Sequence, residues 1–300
     1  MGLGMQHHTT NDQLDNHSLM LNEKEKIKTE EVEEFYDNLD LEDRLIESDP
    51  GTYYRGEGAL YPAFKDHQRI DISEFEFIRE LGQGAYGKVY LVKVIATGDQ
   101  YALKVLGSKK KIDKCELKNI LNERKVFSLL KSNFCVTALG SFVYKSLICF
   151  VIEFVPGGDL YQEIFEKQTF DLDCDTIKYY LAELVLGISD LHSNGIIHRD
   201  IKPANILIGE GGHLKLTDYG LSDIKGRMHN SIKGSLNYMA PETFLDNEIG
   251  FEVDWYALGV LAFFLIKERF PFHAETKDEL ISLIFKHEVD WEEAGKILKF

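Results

Sequence analysis

The apolar residues of this chain change their spacing twice, and the order of those changes restricts the fold more than any other property. Residues 1–50 are polar and acidic, with no sustained period, and end in the turn signal Asp49-Pro50-Gly51. From Phe75 the period is two. Phe75 and Phe77 flank Glu76, and Lys88–Ile95, Gln100–Leu106, Ala138–Tyr144 and Leu147–Phe154 read as further strands. One helix interrupts them, with apolar positions Leu117, Ile120, Leu121, Phe127 and Leu130. Beyond Val155-Pro156-Gly157-Gly158 the period is helical: Ile177, Leu181, Leu184, Ile188 and Leu191 form a stripe that Asn194-Gly195 stops as a C-terminal cap. A small sheet-rich half with one main helix therefore precedes a larger helical half, an α+β order.

The expected divisions are 1–72, 73–155 and 156–300. The first is an acidic, largely disordered extension. Within it Val32, Phe35, Tyr36 and Leu39 keep helical spacing, so a partner-binding or autoregulatory helix is the alternative to a solvated tail. Tyr53, Tyr54, Tyr61 and Phe64 are expected to lie against the folded part.

Charge and cysteine usage exclude several classes. The net charge is −16, and residues 1–72, with 7 Lys/Arg against 17 Asp/Glu, supply −10 of it. General nucleic-acid affinity needs a basic surface, so no nucleic-acid partner is expected. The four cysteines, Cys115, Cys135, Cys149 and Cys174, form no C-x-x-C pair, and reduced thiols in a cytoplasmic or nuclear protein fit best. The N-terminus lacks a basic start and an apolar run, and Gln6 stands where myristoylation wants Ser or Thr. The densely apolar Ala257–Ile266 is too short to span a bilayer, so no membrane insertion is expected.

Gly82, Gly84 and Gly87 give G-x-G-x-x-G after Leu81. A dinucleotide-binding turn with those letters opens a helix, whereas here the strand Val89-Tyr90-Leu91-Val92 follows. Strand, glycine loop and strand make a flap whose unhindered N–H groups can lie over phosphates. Lys104 stands seventeen residues after Gly87, inside an apolar strand and on one face with Ala102 and Leu106. Such a lysine is either edge protection or a cation for phosphates, and if buried it needs a counter-ion. Glu123 falls on the line Ile120, Glu123, Phe127, the inward face of its helix, and is the natural candidate.

His198-Arg199-Asp200-Ile201-Lys202-Pro203-Ala204-Asn205 sits between Ile196-Ile197 and Ile206-Leu207-Ile208, and Asp218-Tyr219-Gly220 begins thirteen residues after Asn205. Polar residues held between apolar segments form a rigid loop on a core. Asp200 can accept the proton of an attacking hydroxyl, and Lys202 can neutralise a transferring phosphoryl. Asn205 through its amide oxygen and Asp218 through its carboxylate can ligate Mg²⁺.

Together these residues resemble a eukaryotic protein kinase from about Phe75 onward. The glycine loop, the Ala-Leu-Lys strand, the helix glutamate, the catalytic loop, Asp-Tyr-Gly and Ala240-Pro241-Glu242 occur in the family's order. Lys-Pro-x-Asn resembles the serine/threonine branch. Glu153–Leu160, Asn122-Glu123-Arg124 and Val253–Val260 look like the AGC group, which includes the cAMP-dependent kinase. Gly84-Ala85-Tyr86-Gly87 and Gly212–Ser222 lean toward its microtubule-associated and Greatwall-like relatives.

The resemblance implies a two-lobed kinase fold using ATP and Mg²⁺ on protein substrates with Ser/Thr acceptors. Leu81, Gly82, Gly84 and Gly87 would cover the nucleotide. Val89, Ala102 and Leu207 would sandwich the adenine, and the backbone of Glu153 and Val155 would bond its edge, with Ile152 as gatekeeper. Lys104, held by Glu123, would position ATP. Arg199 implies control by a phosphorylated activation loop, with Ser231 on the phosphorylated position and an upstream kinase as activator.

Several residues depart from the pattern. Tyr219 replaces the usual Phe, a tolerable swap if its hydroxyl finds a partner. Asp223 stands where a lysine often helps hold the loop phosphate. Asp159 keeps an acid suited to a basic substrate residue, but Ala204 and Phe264 replace acids, so basic selectivity is expected to be loose. Phe300 follows soon after Trp291, where relatives still have helices of the large lobe, so that lobe is expected to be truncated or atypical. The rival expectation is an ATP-binding, pseudokinase-like scaffold with little or no transfer.

Overall fold

The computed structural model describes residues 70–84, 87–107, 114–144, 147–163, 173–224, 234–245 and 249–291. The expectations placed on the extension up to residue 69, on Ser231 and on the chain end at Phe300 lie outside the described residues.

The period-two segments form strands. β1 (Phe75–Gly84), β2 (Gly87–Val94), β3 (Gln100–Leu106), β4 (Ala138–Tyr144) and β5 (Leu147–Glu153) make a sheet in the order β1-β2-β3-β5-β4. β1 pairs antiparallel with β2, and β2 with β3. The glycine sequence is therefore the tip of an antiparallel hairpin, which removes the dinucleotide alternative. Aromatic contacts support the sheet: Phe77 meets Tyr90 edge-on at 5.3 Å, and Phe75 stacks on Phe142 at 6.2 Å. β3 is the apolar strand expected, and both of its faces are covered. Tyr101, Leu103 and Val105 are buried on one side and Ala102 and Leu106 on the other, and Lys104 is half-buried among them.

The chain divides into two compact units. One holds β1–β3 and the Ser141–Val151 part of β4 and β5. The other holds α1 (Lys114–Leu129) and everything from Ile152 onward.

In the second unit α2 (Cys174–Ser193) starts where the Asp173 carboxylate accepts the Thr176 N–H at 2.7 Å, and ends at the Asn194 cap. It buries Ile177, Tyr180, Leu184, Ile188 and Leu191. Tyr180 is buried where Leu181, next to it in sequence and on the other flank of the stripe, is expected, and Leu181 is half-buried. Glu183 lies on the same face because it accepts the Leu214 N–H at 2.8 Å and so anchors β8 (Leu214–Leu216).

α3 (Glu252–Lys267) is apolar on all sides and buries Val253, Ala257, Leu258, Val260, Leu261, Phe263, Phe264 and Leu265, as the central helix of its unit must. α4 (Lys277–Lys286) buries only Leu280 and Ile284, against Phe272. Two short ladders complete the unit: β6 (Ile196–Ile197) with β9 (Asp223–Ile224), and β7 (Ile206–Ile208) with β8. β6 with β9 pairs Ile197 with Asp223, and β7 with β8 pairs Leu207 with Lys215 between two apolar pairs. Among the described residues no helix is long and apolar enough to cross a membrane.

Candidate active site

The loop between β6 and β7 gathers three of the expected residues around one carboxylate. Asp200 is buried; its Oδ2 accepts from Lys202 Nζ at 2.7 Å and Asn205 Nδ2 at 2.9 Å, and its Oδ1 accepts the Ser235 N–H at 2.9 Å. Asn205 Nδ2 also donates to the Asp200 carbonyl at 2.8 Å. With its amide protons turned to Asp200, Asn205 offers its oxygen to a cation. Lys202 Nζ reaches Ser235 Oγ at 2.9 Å as well. Gly234 makes this approach possible: its φ is +110°, and a Cβ there would lie 2.5 Å from the Arg199 carbonyl oxygen.

Asp254, in the first turn of α3, holds the loop from beneath. Its Oδ2 accepts the His198 N–H and His192 Nε2 at 2.8 Å each, and its Oδ1 accepts the Arg199 N–H at 2.8 Å. Carboxylate oxygens only accept, so His192 carries its proton on Nε2. Asp254 is 0% exposed and has three donors for its charge. Arg199, beside it, takes a left-handed φ of 71°. A non-glycine residue there stores about 1–3 kcal/mol, so the surrounding bonds must over-determine it.

His198 joins this loop to the next. Its Nε2 lies 3.0 Å from the Thr217 carbonyl and its Nδ1 receives the Asp200 N–H at 3.3 Å. The partners assign the tautomer with the proton on Nε2. Thr217 N–H in turn donates to the Asn205 carbonyl at 3.0 Å. Asp218 follows, exposed and also left-handed at φ 63°.

Tyr219 meets the condition set for it. It is 0% exposed, and its hydroxyl lies 3.0 Å from the Val136 carbonyl and 2.9 Å from that of Leu216. Burial, with help from the neighbouring Cys135, pushes its phenol well above the usual range. Its ring packs edge-on against Phe127 of α1 at 5.3 Å, and Asn122 of the same helix donates to the Ser222 carbonyl. Glu123 is 3% exposed, so the inward glutamate is confirmed, and α1 carries it to the Asp-Tyr-Gly turn. A Cβ added at Gly220 would lie 3.5 Å from Asp218 Oδ1 and 4.0 Å from Glu123 Oε2.

The remaining expected residues are distributed as follows. In the sheet unit, Leu81 and Val89 are half-buried and Ala102 is buried. Gly87 is required by packing, since a Cβ there would stand 1.9 Å from the Val105 carbonyl oxygen. Gly82 faces open space, and Gly84 closes the hairpin opposite Gly87. In the helical unit, Glu153 donates its N–H to the Thr137 carbonyl at 3.1 Å. Its carboxylate accepts the Thr137 N–H at 2.8 Å and pairs with Lys215 at 2.9 Å. Val155 is buried. Leu207 bridges to Asp159, while Gly157 N–H and the Gly158 carbonyl bond Ile208.

A sequence model of the protein kinase domain matches residues 75–297. The chain belongs to the protein kinase family. The kinase is similar to RAC-beta serine/threonine-protein kinase A of Xenopus laevis, with 34% identity over 228 residues, 75% of this chain and 46% of the relative. It is 36% identical to the RAC serine/threonine-protein kinase of Drosophila melanogaster over 225 residues, 74% of this chain and 36% of the relative. The probable serine/threonine protein kinase IRE of Arabidopsis thaliana is 34% identical over 266 residues, 77% of this chain and 22% of the relative. The kinase thus spans less than half the length of these relatives. The RAC relatives agree with the AGC resemblance read from the sequence.

Sequence reasoning gave no role to Asp254, to His198, or to the Glu153 carboxylate. The structure also brings Ser235 to this site, with bonds to Asp200 and Lys202. The one signal available for Asp254 was a charge inside the most apolar helix, which must find donors.

Proposed function

We propose that this kinase transfers the γ-phosphoryl group of Mg-ATP to serine or threonine hydroxyls of protein substrates. One observation carries the reading: a buried carboxylate, Asp200, is oriented by Lys202, Asn205 and the Ser235 N–H within a loop pinned by Asp254.

In the proposed reaction the acceptor hydroxyl oxygen bonds to phosphorus while the bond from phosphorus to the bridging oxygen of ADP breaks. Asp200 orients the hydroxyl and takes its proton. Lys202, 2.7 Å from Asp200, offsets the negative charge of the transferring group. Lys104 serves the α- and β-phosphates with Glu123 as its counter-ion. Leu81, Val89, Ala102, Leu207 and the backbone of Glu153 and Val155 take the adenine. The amide oxygen of Asn205 and the exposed carboxylate of Asp218 suit a hard cation, and Mg²⁺ held there would neutralise phosphate charge. Open space at Gly82 suits the approach of phosphates to its backbone. Phosphate on Ser231, placed by an upstream kinase, is the proposed modulator acting through Arg199. Free cysteines at 135, 149 and 174 support a reducing compartment, cytoplasm or nucleus.

Radiolabelled transfer to a serine peptide tests the proposal. Asp200→Asn and Lys104→Met should each abolish transfer, and Lys104→Met should also weaken ATP in a thermal-shift titration. ATP binding without transfer by the wild type would favour the scaffold instead.

A further inference from the structure

Arg199 already has an anion. Its Nη1 lies 2.6 Å from Asp223 Oδ2, and the two side chains are 3% and 16% exposed. The pair follows from the β6–β9 ladder, in which Ile197 faces Asp223 across the strands and so delivers the carboxylate beside the start of the catalytic loop. A guanidinium so enclosed stabilises the loop only if a negative charge meets it, because an unpaired buried charge is strongly unfavourable. Here that charge is part of the polypeptide.

The pair also joins two segments that the reaction needs together. Arg199 is bonded through its own N–H to Asp254 and precedes Asp200. Asp223 follows the Asp218-Tyr219-Gly220 turn, whose trailing residue Ser222 donates its hydroxyl to the His198 carbonyl at 3.3 Å and accepts from Asn122 of α1. The Asp223 carboxylate therefore ties the loop of Asp200 to the segment of Asp218, and Ser222 beside it ties that segment to the helix that carries Glu123.

We propose that Asp223 is a positioning residue for phosphoryl transfer, a built-in counter-ion to Arg199 that makes catalysis independent of a phosphate on Ser231. It rests on the kinase reading above and deepens it. Phosphate on Ser231 then adds negative charge to an arginine already neutralised, so it modulates turnover instead of licensing it. Asp223 touches neither substrate nor nucleotide in this scheme; it acts through Arg199.

The experiment measures kcat and the KM for ATP of the full chain on a serine peptide, before and after treatment with a broad-specificity protein phosphatase. Ser231→Ala, Asp223→Asn and Asp223→Glu are measured beside the wild type. Phosphatase treatment and Ser231→Ala should each leave kcat within about threefold, while Asp223→Asn should lower it about tenfold or more with the KM for ATP changed less than about threefold. Asp223→Glu should restore most of the loss. Should Asp223→Asn not fold, the double variant Arg199→Met, Asp223→Leu leaves no buried charge unpaired and should fold with the same loss of kcat. A wild type silenced by phosphatase, or an Asp223→Asn or double variant as active as wild type, overturns the proposal while leaving the kinase reading intact. A wild type that transfers no phosphate in either state overturns both.

Discussion

Asp254→Asn is the sharpest test of how the catalytic loop is held. In the wild type two carboxylate oxygens serve three donors: Oδ2 takes His198 N–H and His192 Nε2, and Oδ1 takes Arg199 N–H. An asparagine can keep only one oxygen. The least harmful orientation puts that oxygen toward His198 and His192, which turns the new NH₂ group against Arg199 N–H. One charge-assisted bond is lost, worth about 1.5–3 kcal/mol, and two donors now face each other beside a side chain closed to solvent. Arg199 is also the residue held at φ 71°, and without that bond its about 1–3 kcal/mol of strain is free to relax. A net loss of about 2–4 kcal/mol follows, since relaxation recovers part of the cost. For a domain of this size that lowers the melting temperature by about 5–15 °C. The loop should shift with Arg199, and a displacement near 1 Å of Asp200 lowers kcat about a hundredfold. Differential scanning calorimetry and steady-state kinetics at saturating ATP read the two effects. If Asp254→Asn melts within about 2 °C of wild type and keeps kcat within about twofold, Asp254 does not hold the loop as argued.

Tyr219→Phe should lower stability by about 1–2 kcal/mol in urea unfolding, because the buried Val136 carbonyl loses its donor while Leu216 keeps the Val136 N–H; an unchanged midpoint would refute this. The same phenol predicts alkaline lability. Its folded pKa is raised above the ordinary value of about 10, so its contribution is complete below pH 10 and declines by up to ~1.4 kcal/mol per pH unit above it. Tyr219→Phe should flatten the loss of stability measured between pH 10 and 11. Gly87→Ala should unfold or mispair the hairpin, given the 1.9 Å approach to the Val105 carbonyl. Gly82→Ala should leave the melting temperature within about 2 °C and raise the KM for ATP, and an unaltered KM would argue against phosphates at that position.

Periodicity located the elements well because each depends on neighbours in sequence. β3 and β4 coincide with the strands read from alternation, and α2 stops at the predicted Asn194. Glu123 was legible for the same reason, a charge on an apolar line that had to turn inward. What escaped was long-range. Asp254 lies 56 residues from the His198 N–H it accepts, Ser235 lies 35 from Asp200, and Asp223 lies 24 from Arg199. No spacing rule links such pairs; only the packing of α3 and the β6–β9 ladder brings them together. Asp223 was read as a weakened phosphate pocket because the sequence shows a missing lysine more readily than a partner found across a strand.

Of the four left-handed residues other than glycine among those described, Arg199 and Asp218 lie at the candidate site, and each begins a turn that sets a carboxylate in place. Neither conformation is a local preference, so neither persists in a partly folded chain. Both depend on Asp254, His198 and Thr217 being packed at once. The geometry proposed for transfer therefore depends on tertiary packing and is lost wherever that packing is lost. In the proposed kinase, activity would then report on the integrity of that packing.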